Sequence, residues 1–555
     1  MRFYDNYDVV SREFENPQWI LDSGIGYEEL LDKVQEIERT YKSKAIAKAK
    51  TFELLAKESR IAVDKNNIFQ DKLFSGAIIQ AQRLRWQKEA LECFMPEEAA
   101  DAEEAWEIIG SYFALGDYGH TSPNTQILME IGFSGILKRI KELSKKEHLS
   151  EKQSEFYSAC DIVISSIIHL IKRFAEATKL YNEENAKVLT SIAVGVPKNV
   201  YEAMQLLIIY FFVHEFVYGT RTRTLGRLDV LLYPFYKRDV ENGTYTKEEI
   251  RDMLRFFLYK FWCAKVPFDL PFCLGGIDEN GSEVTNELSY LIVDTYNELN
   301  IHSPKIHIRV SDNTPDDFIK LVLSAIRGGN SSFVFLNDKI AIESLVRVGI
   351  SETDARNYVP IGCYEPAVWG VEMGCTGNSG ISLPKALEFV FTNGVDLKTG
   401  KQCSIKCGEI HTFEDFLSEV KKQIAFLTDK AIDFVCKIEN HYDVINPDSI
   451  QSALYVNSLE TGVDVYEGGA KYNNSSVYFI SIATLVDSLC AVKKIVFEDE
   501  LITFDVLCEV LKNNWQGNEN LLQKVKNFDE KYGVSNPVAD GITAPAEYFL
   551  KFEKK

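Results

Sequence analysis

From Tyr27 to Leu55 apolar residues recur at steps of three and four among many lysines and glutamates, the spacing of one long amphipathic helix. Ser154 to Tyr181 and Ala203 to Tyr218 repeat the pattern with wider apolar faces. The front of the chain is therefore helical. Further along, short β-rich runs take over, Lys305-Ile306-His307-Ile308-Arg309-Val310 and Phe333-Val334-Phe335-Leu336. Between them Thr314-Pro315-Asp316-Asp317 turns into a helix that ends near Gly328-Gly329. Strands alternating with helices predict an α/β architecture with parallel strands. No internal repeat and no Gly/Ser/Pro-rich linker interrupts the pattern. The 555 residues thus read as a single domain, helical over about 1–200 and strand-bearing over about 200–555.

Composition narrows the function classes. Hydrophobic residues at 46% and charged residues at 26% are those of a globular protein able to bury a large core. The net charge of −21 is spread along the chain, which opposes nucleic acid or an anionic membrane as a main partner, since both need a basic face. The opening Met1-Arg2-Phe3-Tyr4-Asp5 has charges and no apolar signal region, and the longest apolar stretch, Leu206 to Val213, is too short to span a bilayer. A cytoplasmic protein with reduced thiols is expected. The 11 cysteines contain no CxxC pair. Cys403, Cys407 and His411 come nearest to a metal-like spacing, and no metal is assigned to them.

The candidate chemistry lies in Ile361-Gly362-Cys363-Tyr364-Glu365-Pro366, which follows the strand-like Asn357-Tyr358-Val359-Pro360 and precedes a run of small residues from Gly374 to Gly380. A thiol and a carboxylate two residues apart can act as a thiolate nucleophile with a nearby base, or as a thiyl radical that takes a hydrogen atom while the carboxylate moves a proton. A lone cysteine is otherwise a small buried hydrophobe.

Segments spread along most of the chain make the radical alternative specific. They are Gly119-His120-Thr121-Ser122-Pro123-Asn124, Leu225-Gly226-Arg227-Leu228-Asp229, Tyr233-Pro234-Phe235-Tyr236-Lys237, Leu274-Gly275-Gly276, Leu336-Asn337-Asp338 and Asp354-Ala355-Arg356-Asn357-Tyr358. After the cysteine loop come Gly468-Gly469-Ala470-Lys471-Tyr472-Asn473, Val486-Asp487-Ser488-Leu489, Asn514-Trp515-Gln516-Gly517 and Lys531-Tyr532-Gly533. In this order they resemble the glycyl radical enzymes, a pyruvate formate-lyase-like superfamily, in the branch of diol dehydratases, choline lyase, hydroxyproline dehydratase and arylacetate decarboxylases. The resemblance implies a ten-stranded α/β barrel of two five-stranded half-sheets, surrounded by helices, with the cysteine loop inside. It makes Cys363 the thiyl radical and Glu365 the neighbouring acid or base. Gly362 stands where pyruvate formate-lyases carry a second cysteine, which disfavours that activity.

Family members also carry a loop of the form Arg-Val-x-Gly-Tyr whose glycine stores the radical, and no such string occurs in these 555 residues. Three explanations are open: a second polypeptide that supplies the loop and the rest of the barrel, a radical-less relative that only binds a metabolite or a partner enzyme, or an incomplete sequence. The retained Cys-x-Glu pair and the charged ending Phe552-Glu553-Lys554-Lys555 favour the first. The expectation is the large subunit of a split lyase or dehydratase from an anaerobic bacterium, with no cofactor in this chain. A small subunit would bear the radical glycine, and a radical S-adenosylmethionine iron–sulfur activating enzyme would install it. A dimer of heterodimers is compatible with this.

The surroundings of the thiol define the substrate. His120 stands where family dehydratases place a substrate-contacting histidine; otherwise it is a hydrogen-bonded turn residue. Arg221 and Thr222 replace the His-Ser pair that diol dehydratases use for hydroxyls, and in an extended segment Arg221 and Arg223 would share one face. Guanidinium forks bind carboxylate or sulfonate, so a small anionic substrate is expected, unless these arginines pair with acidic residues of the chain. Gly377 takes the place of a glycerol-dehydratase aspartate, and Thr376 matches a choline-lyase threonine. Trp369 is a pocket wall or core. Arg227, Asp229, Asn337, Asp338 and Tyr472 are assigned structural roles.

Overall fold

The computed structural model describes residues 1–15, 17–264 and 270–546; the charged ending at 552–555 lies outside the described residues. The stretch expected to be one long helix is two, Tyr27–Thr40 and Lys44–Glu58. Tyr41 turns extended, and Ser43 caps the second helix by accepting from the Ile46 N–H, so a capping residue overrides an uninterrupted apolar periodicity. The other two long helices form as expected. Glu151–Thr178 opens on a capping box of Ser150 and Gln153, and Val200–Phe212 continues into a wider turn at Val213–Val217. Both are apolar enough to cross a membrane by length and composition, yet 61% and 89% of their most apolar windows are buried in the protein, as in core helices.

Contacts divide the chain into two compact units. One consists of Met1–Ala90, Asp117–Cys375 and Asn440–Asn474, so the helical front and the strand–helix region both build it; the other consists of Leu91–Gly116, Thr376–Glu439 and the described part of Ser475–Lys555. In the first unit the strands Phe272–Gly275, Ile306–Val310 and Phe333–Asn337 form a parallel sheet, in register Phe272 to Ile306 and Ile306 to Phe333, with helix Asp316–Arg327 as the crossover. This is the predicted strand–helix alternation. In the second unit Ser379–Ser382 pairs parallel with Val477–Ile480 and antiparallel with Tyr112–Ala114.

A buried ion pair locks the end of the parallel sheet. Arg309 Nε and Nη2 donate to the two oxygens of Asp338 at 2.8 and 2.9 Å, and Nη1 donates to the Tyr358 carbonyl at 3.0 Å. Tyr358 opens the strand that leads to the cysteine loop, so this pair ties the sheet to the site. The residues assigned structural roles act in the same way. Arg227 donates to the Gly275 and Ile277 carbonyls, while Asp229 accepts from the Gly275 N–H and the Ser289 hydroxyl. Asn337 caps helix Asp338–Arg347, and Tyr472 donates to Asp354.

Candidate active site

Strands Tyr358–Ile361 and Glu365–Val368 form an antiparallel hairpin in which Ile361 faces Glu365. The register leaves a three-residue tip, Gly362-Cys363-Tyr364, with the Cys363 thiol on an exposed residue. Gly362 has φ +58°, a left-handed conformation that glycine adopts without strain. Space requires glycine as well. A Cβ built there would lie 2.7 Å from His120 Cδ2, 2.9 Å from His120 Nε2 and 3.2 Å from Glu365 Oε2. The imidazole and the carboxylate therefore converge over the residue preceding the thiol. Glu365 Oε2 also accepts the Tyr364 N–H at 2.9 Å, which folds the carboxylate back toward the tip.

His120 is held from behind. Asp117 Oδ1 accepts the backbone N–H of Gly119 at 3.0 Å and of His120 at 3.2 Å, and Asp117 Oδ2 lies 2.9 Å from His120 Nδ1. With Nδ1 turned to a carboxylate, the Nε2 edge is the one presented to Gly362. Asp117 was missed in the sequence; its only signal was the local spacing Asp-x-x-His, which is common in turns. The following residues anchor the turn. The Ser122 hydroxyl lies 2.7 Å from the Val368 carbonyl and 2.9 Å from the Glu372 carbonyl, with one proton to share between them, and the Ser122 carbonyl accepts the Gly370 N–H.

The Gly219 to Thr224 segment reaches the same place, since the Arg223 carbonyl accepts the Gly362 N–H at 3.2 Å. It forms no regular strand, and its two guanidiniums do not share an environment: Arg221 is exposed, whereas Arg223 is 3% exposed. The sequence-based expectation of one common face fails because Glu215 pins the backbone between them, its Oε2 accepting the Thr222 N–H at 2.6 Å. Burial raises the Glu215 pKa, with Arg223 and Arg221 pulling it back down. The Thr222 hydroxyl lies 2.9 Å from His214 Nδ1, and His214 Nε2 lies 3.1 Å from Asp448 Oδ2, so Thr222 is held by a buried imidazole–carboxylate pair. Burial acts to raise the Asp448 pKa, but His214 and Lys48 outweigh it and bring it down to about 2.

Trp369 is buried, its Nε1 donates to the Pro123 carbonyl at 3.0 Å, and its ring lies under Gly226, where a built Cβ would come within 2.4 Å. That is the surrounding of a core residue. Thr376 falls in the second unit, where it is buried and its hydroxyl has no hydrogen-bond partner among the described residues. The structure thus brings Cys363, Glu365, His120 and the Arg221-Thr222-Arg223 segment to one corner of the first unit.

This fold is that of the glycyl radical enzymes. A solved glycyl radical enzyme from Archaeoglobus fulgidus superposes with a TM-score of 0.82 at 21% identity, over 99% of this chain and 78% of that one. The chain belongs to the pyruvate formate lyase-like family, whose profile matches residues 70–551. Among curated relatives, (2S)-3-sulfopropanediol dehydratase of Klebsiella oxytoca is 27% identical over 76% of this chain and 55% of its own length. Trans-4-hydroxy-L-proline dehydratase of Clostridioides difficile is 30% identical over 76% and 58%. The chain therefore spans a little over half the length of these relatives.

Proposed function

We propose that this chain is the thiyl-bearing part of a glycyl radical lyase or dehydratase acting on a small, anionic, hydroxylated or amino-bearing molecule. The observation that carries the reading is the Gly362 junction, where an exposed thiol, a carboxylate folded back beside it and an imidazole oriented by Asp117 meet. In this reading Cys363 Sγ takes a hydrogen atom from a substrate C–H bond. Glu365 takes the proton of the hydroxyl on the resulting carbon radical and passes it to the neighbouring leaving group, which departs protonated as the C–O bond becomes a carbonyl, and the Cys363 S–H then returns its hydrogen atom to the product radical. In the same reading His120 hydrogen-bonds the substrate hydroxyl. Holding the C–H against sulfur is the main task of the pocket. The names of both relatives describe molecules that carry an acidic group as well as a hydroxyl, which supports an anionic substrate.

The radical itself is taken to come from a glycine in a partner chain, installed by a radical S-adenosylmethionine enzyme, in an oxygen-free cytoplasm. Anoxic purification from native cells tests this: a stoichiometric partner bearing Arg-Val-x-Gly-Tyr is expected. In that complex Cys363→Ala is expected to assemble normally and to lose turnover, and retained turnover would overturn the radical mechanism. Arg221→Gln is expected to weaken binding of the anionic substrate.

A further inference from the structure

A buried carboxylate behind the corner reaches both of its walls. Helix Val200–Phe212 and the wider turn after it place Tyr210, His214 and Tyr218 in a stack, with the imidazole 5.6 Å from the Tyr210 ring and 6.3 Å from the Tyr218 ring, tilted from them by 15° and 20°. His214 is 1% exposed and Asp448 0%, so bulk water does not compete for their contact. Nε2 faces the Asp448 carboxylate at 3.1 Å and Nδ1 faces Thr222 Oγ at 2.9 Å, so the stacked ring fixes direction as well as distance. Replacing a buried pair of this kind by apolar side chains of equal volume is often neutral, so what the pair contributes is the geometry it imposes.

Two chains of contacts run from Asp448 to the thiol tip. The first passes through His214 to Thr222, and the carbonyl of the next residue, Arg223, accepts the Gly362 N–H at 3.2 Å, one residue before Cys363. The second begins at the other carboxylate oxygen. Asp448 Oδ1 accepts the Gln451 N–H at 2.9 Å, and the Gln451 side-chain amide donates to the Thr121 hydroxyl, one residue after His120. The same segment holds that turn twice more, because the Tyr442 hydroxyl accepts the Asp117 N–H and the Tyr455 hydroxyl accepts the Ser122 N–H, each at 3.1 Å. Asp448 is itself fixed. Its N–H donates to Asp464 Oδ2 at 2.9 Å, and Lys48 of helix Lys44–Glu58 donates to Asn446 Oδ1 and to the Pro447 carbonyl, both at 2.9 Å. Burial acts to raise the Asp448 pKa, but His214 and Lys48 hold it at about 2, so the anchor is ionised at any working pH.

We infer that Asp448 and His214 are positioning residues for the thiol tip: one carboxylate sets the Arg221–Arg223 segment against Gly362 through Thr222, and sets the His120 turn through Gln451. The imidazole of His120 meets Gly362 only if these two segments arrive together, and a shared anchor makes them do so. In this assignment Thr222 acts through its contact with His214. The demand on the geometry is strict, since a misplacement of about 1 Å at a reacting group can cost about a hundredfold in rate. That the tip is a place of reaction rests on the function proposed above; that Asp448 and His214 position it does not.

Hydrogen exchange read by mass spectrometry, together with iodoacetamide labelling of Cys363 relative to the exposed Cys93, reports on the tip without radical, substrate or partner. Thr222→Val removes the hydroxyl and keeps the shape. It should speed exchange of the Gly362 amide and raise the Cys363-to-Cys93 labelling ratio, each by at least about threefold, since one lost hydrogen bond is worth that much in a local opening equilibrium. Thr222→Ser keeps the hydroxyl and should stay within about twofold of wild type in both. Asp448→Ala should also loosen the turn at 117–122, and Asp448→Asn should restore it, because an amide still accepts from Gln451 and can donate to His214 Nε2 in the other tautomer of the ring. A residue that merely fills the core would not separate valine from serine at position 222. The inference is overturned if Thr222→Val and Thr222→Ser label and exchange alike, if Gly362 exchange in Thr222→Val stays at the wild-type rate, or if the change spreads evenly along the chain. Should Asp448→Ala not fold, the two Thr222 variants decide alone.

Discussion

Replacing Gly362 by alanine probes the whole corner through one methyl group. The left-handed φ of +58° costs an alanine about 1 kcal/mol. The methyl would also sit 2.7 Å from His120 Cδ2 and 2.9 Å from Nε2, far inside contact distance, so the imidazole has to move. Moving it breaks the 2.9 Å contact of Nδ1 with Asp117, a charge-assisted bond worth about 1–2 kcal/mol before allowance for the ring's partial exposure. Gly362→Ala should therefore cost about 2–3 kcal/mol in all. The two parts can be separated. In a His120→Ala background the clash with the imidazole is gone; the backbone cost of about 1 kcal/mol and the 3.2 Å approach to Glu365 Oε2 remain in both backgrounds, so the double-mutant cycle should give a coupling of about 1–2 kcal/mol. Urea unfolding followed by tryptophan fluorescence on the four proteins measures it. An equal loss in both backgrounds would falsify the placement of the imidazole over Gly362, and with it the grouping of His120 beside Cys363.

Other outcomes follow from the same geometry. Asp338→Asn leaves Arg309 buried beside half a partner and also weakens the bonds from the Tyr358 hydroxyl and the Ile277 N–H; a loss of about 3–5 kcal/mol is expected in chemical unfolding, and a loss below about 1 kcal/mol would refute the pair as the lock on the sheet. Burial raises the Asp464 carboxyl to about 7, against about 4 for an unfolded chain, so between these values the folded protein keeps a proton that the unfolded one has released. Its stabilising contribution is present below pH 4, is lost as pH rises to about 7, and is then constant, an effect on the order of 4 kcal/mol. Melting temperatures of Asp464→Asn should therefore gain on wild type from pH 5 to pH 8, and a pH-independent gap would contradict this. Trp369→Phe should cost about 1–2 kcal/mol through the lost bond to Pro123 while leaving substrate affinity unchanged; a selective loss of affinity would make Trp369 a pocket wall instead.

Much of the architecture was legible because it is local. Periodicity and caps place Glu151–Thr178, Asp316–Arg327 and the parallel strands Ile306–Val310 and Phe333–Asn337 where the apolar pattern puts them. The pattern failed at residues 41–43, where one capping serine outweighs a continuous apolar face. Cys363 and Glu365 were legible as well, because two residues on one tight tip are neighbours in any fold that makes the hairpin.

The order of residues by itself determined the helices, the parallel strand–helix units, the Cys-x-Glu tip and the family to which they belong. Only the tertiary structure decided that His120 covers Gly362, that Asp117 orients it, and that Arg221 and Arg223 part company around Glu215. The physical reason is that periodicity and turn chemistry act over a few residues, whereas whether a buried donor is met depends on which distant segments packing brings beside it.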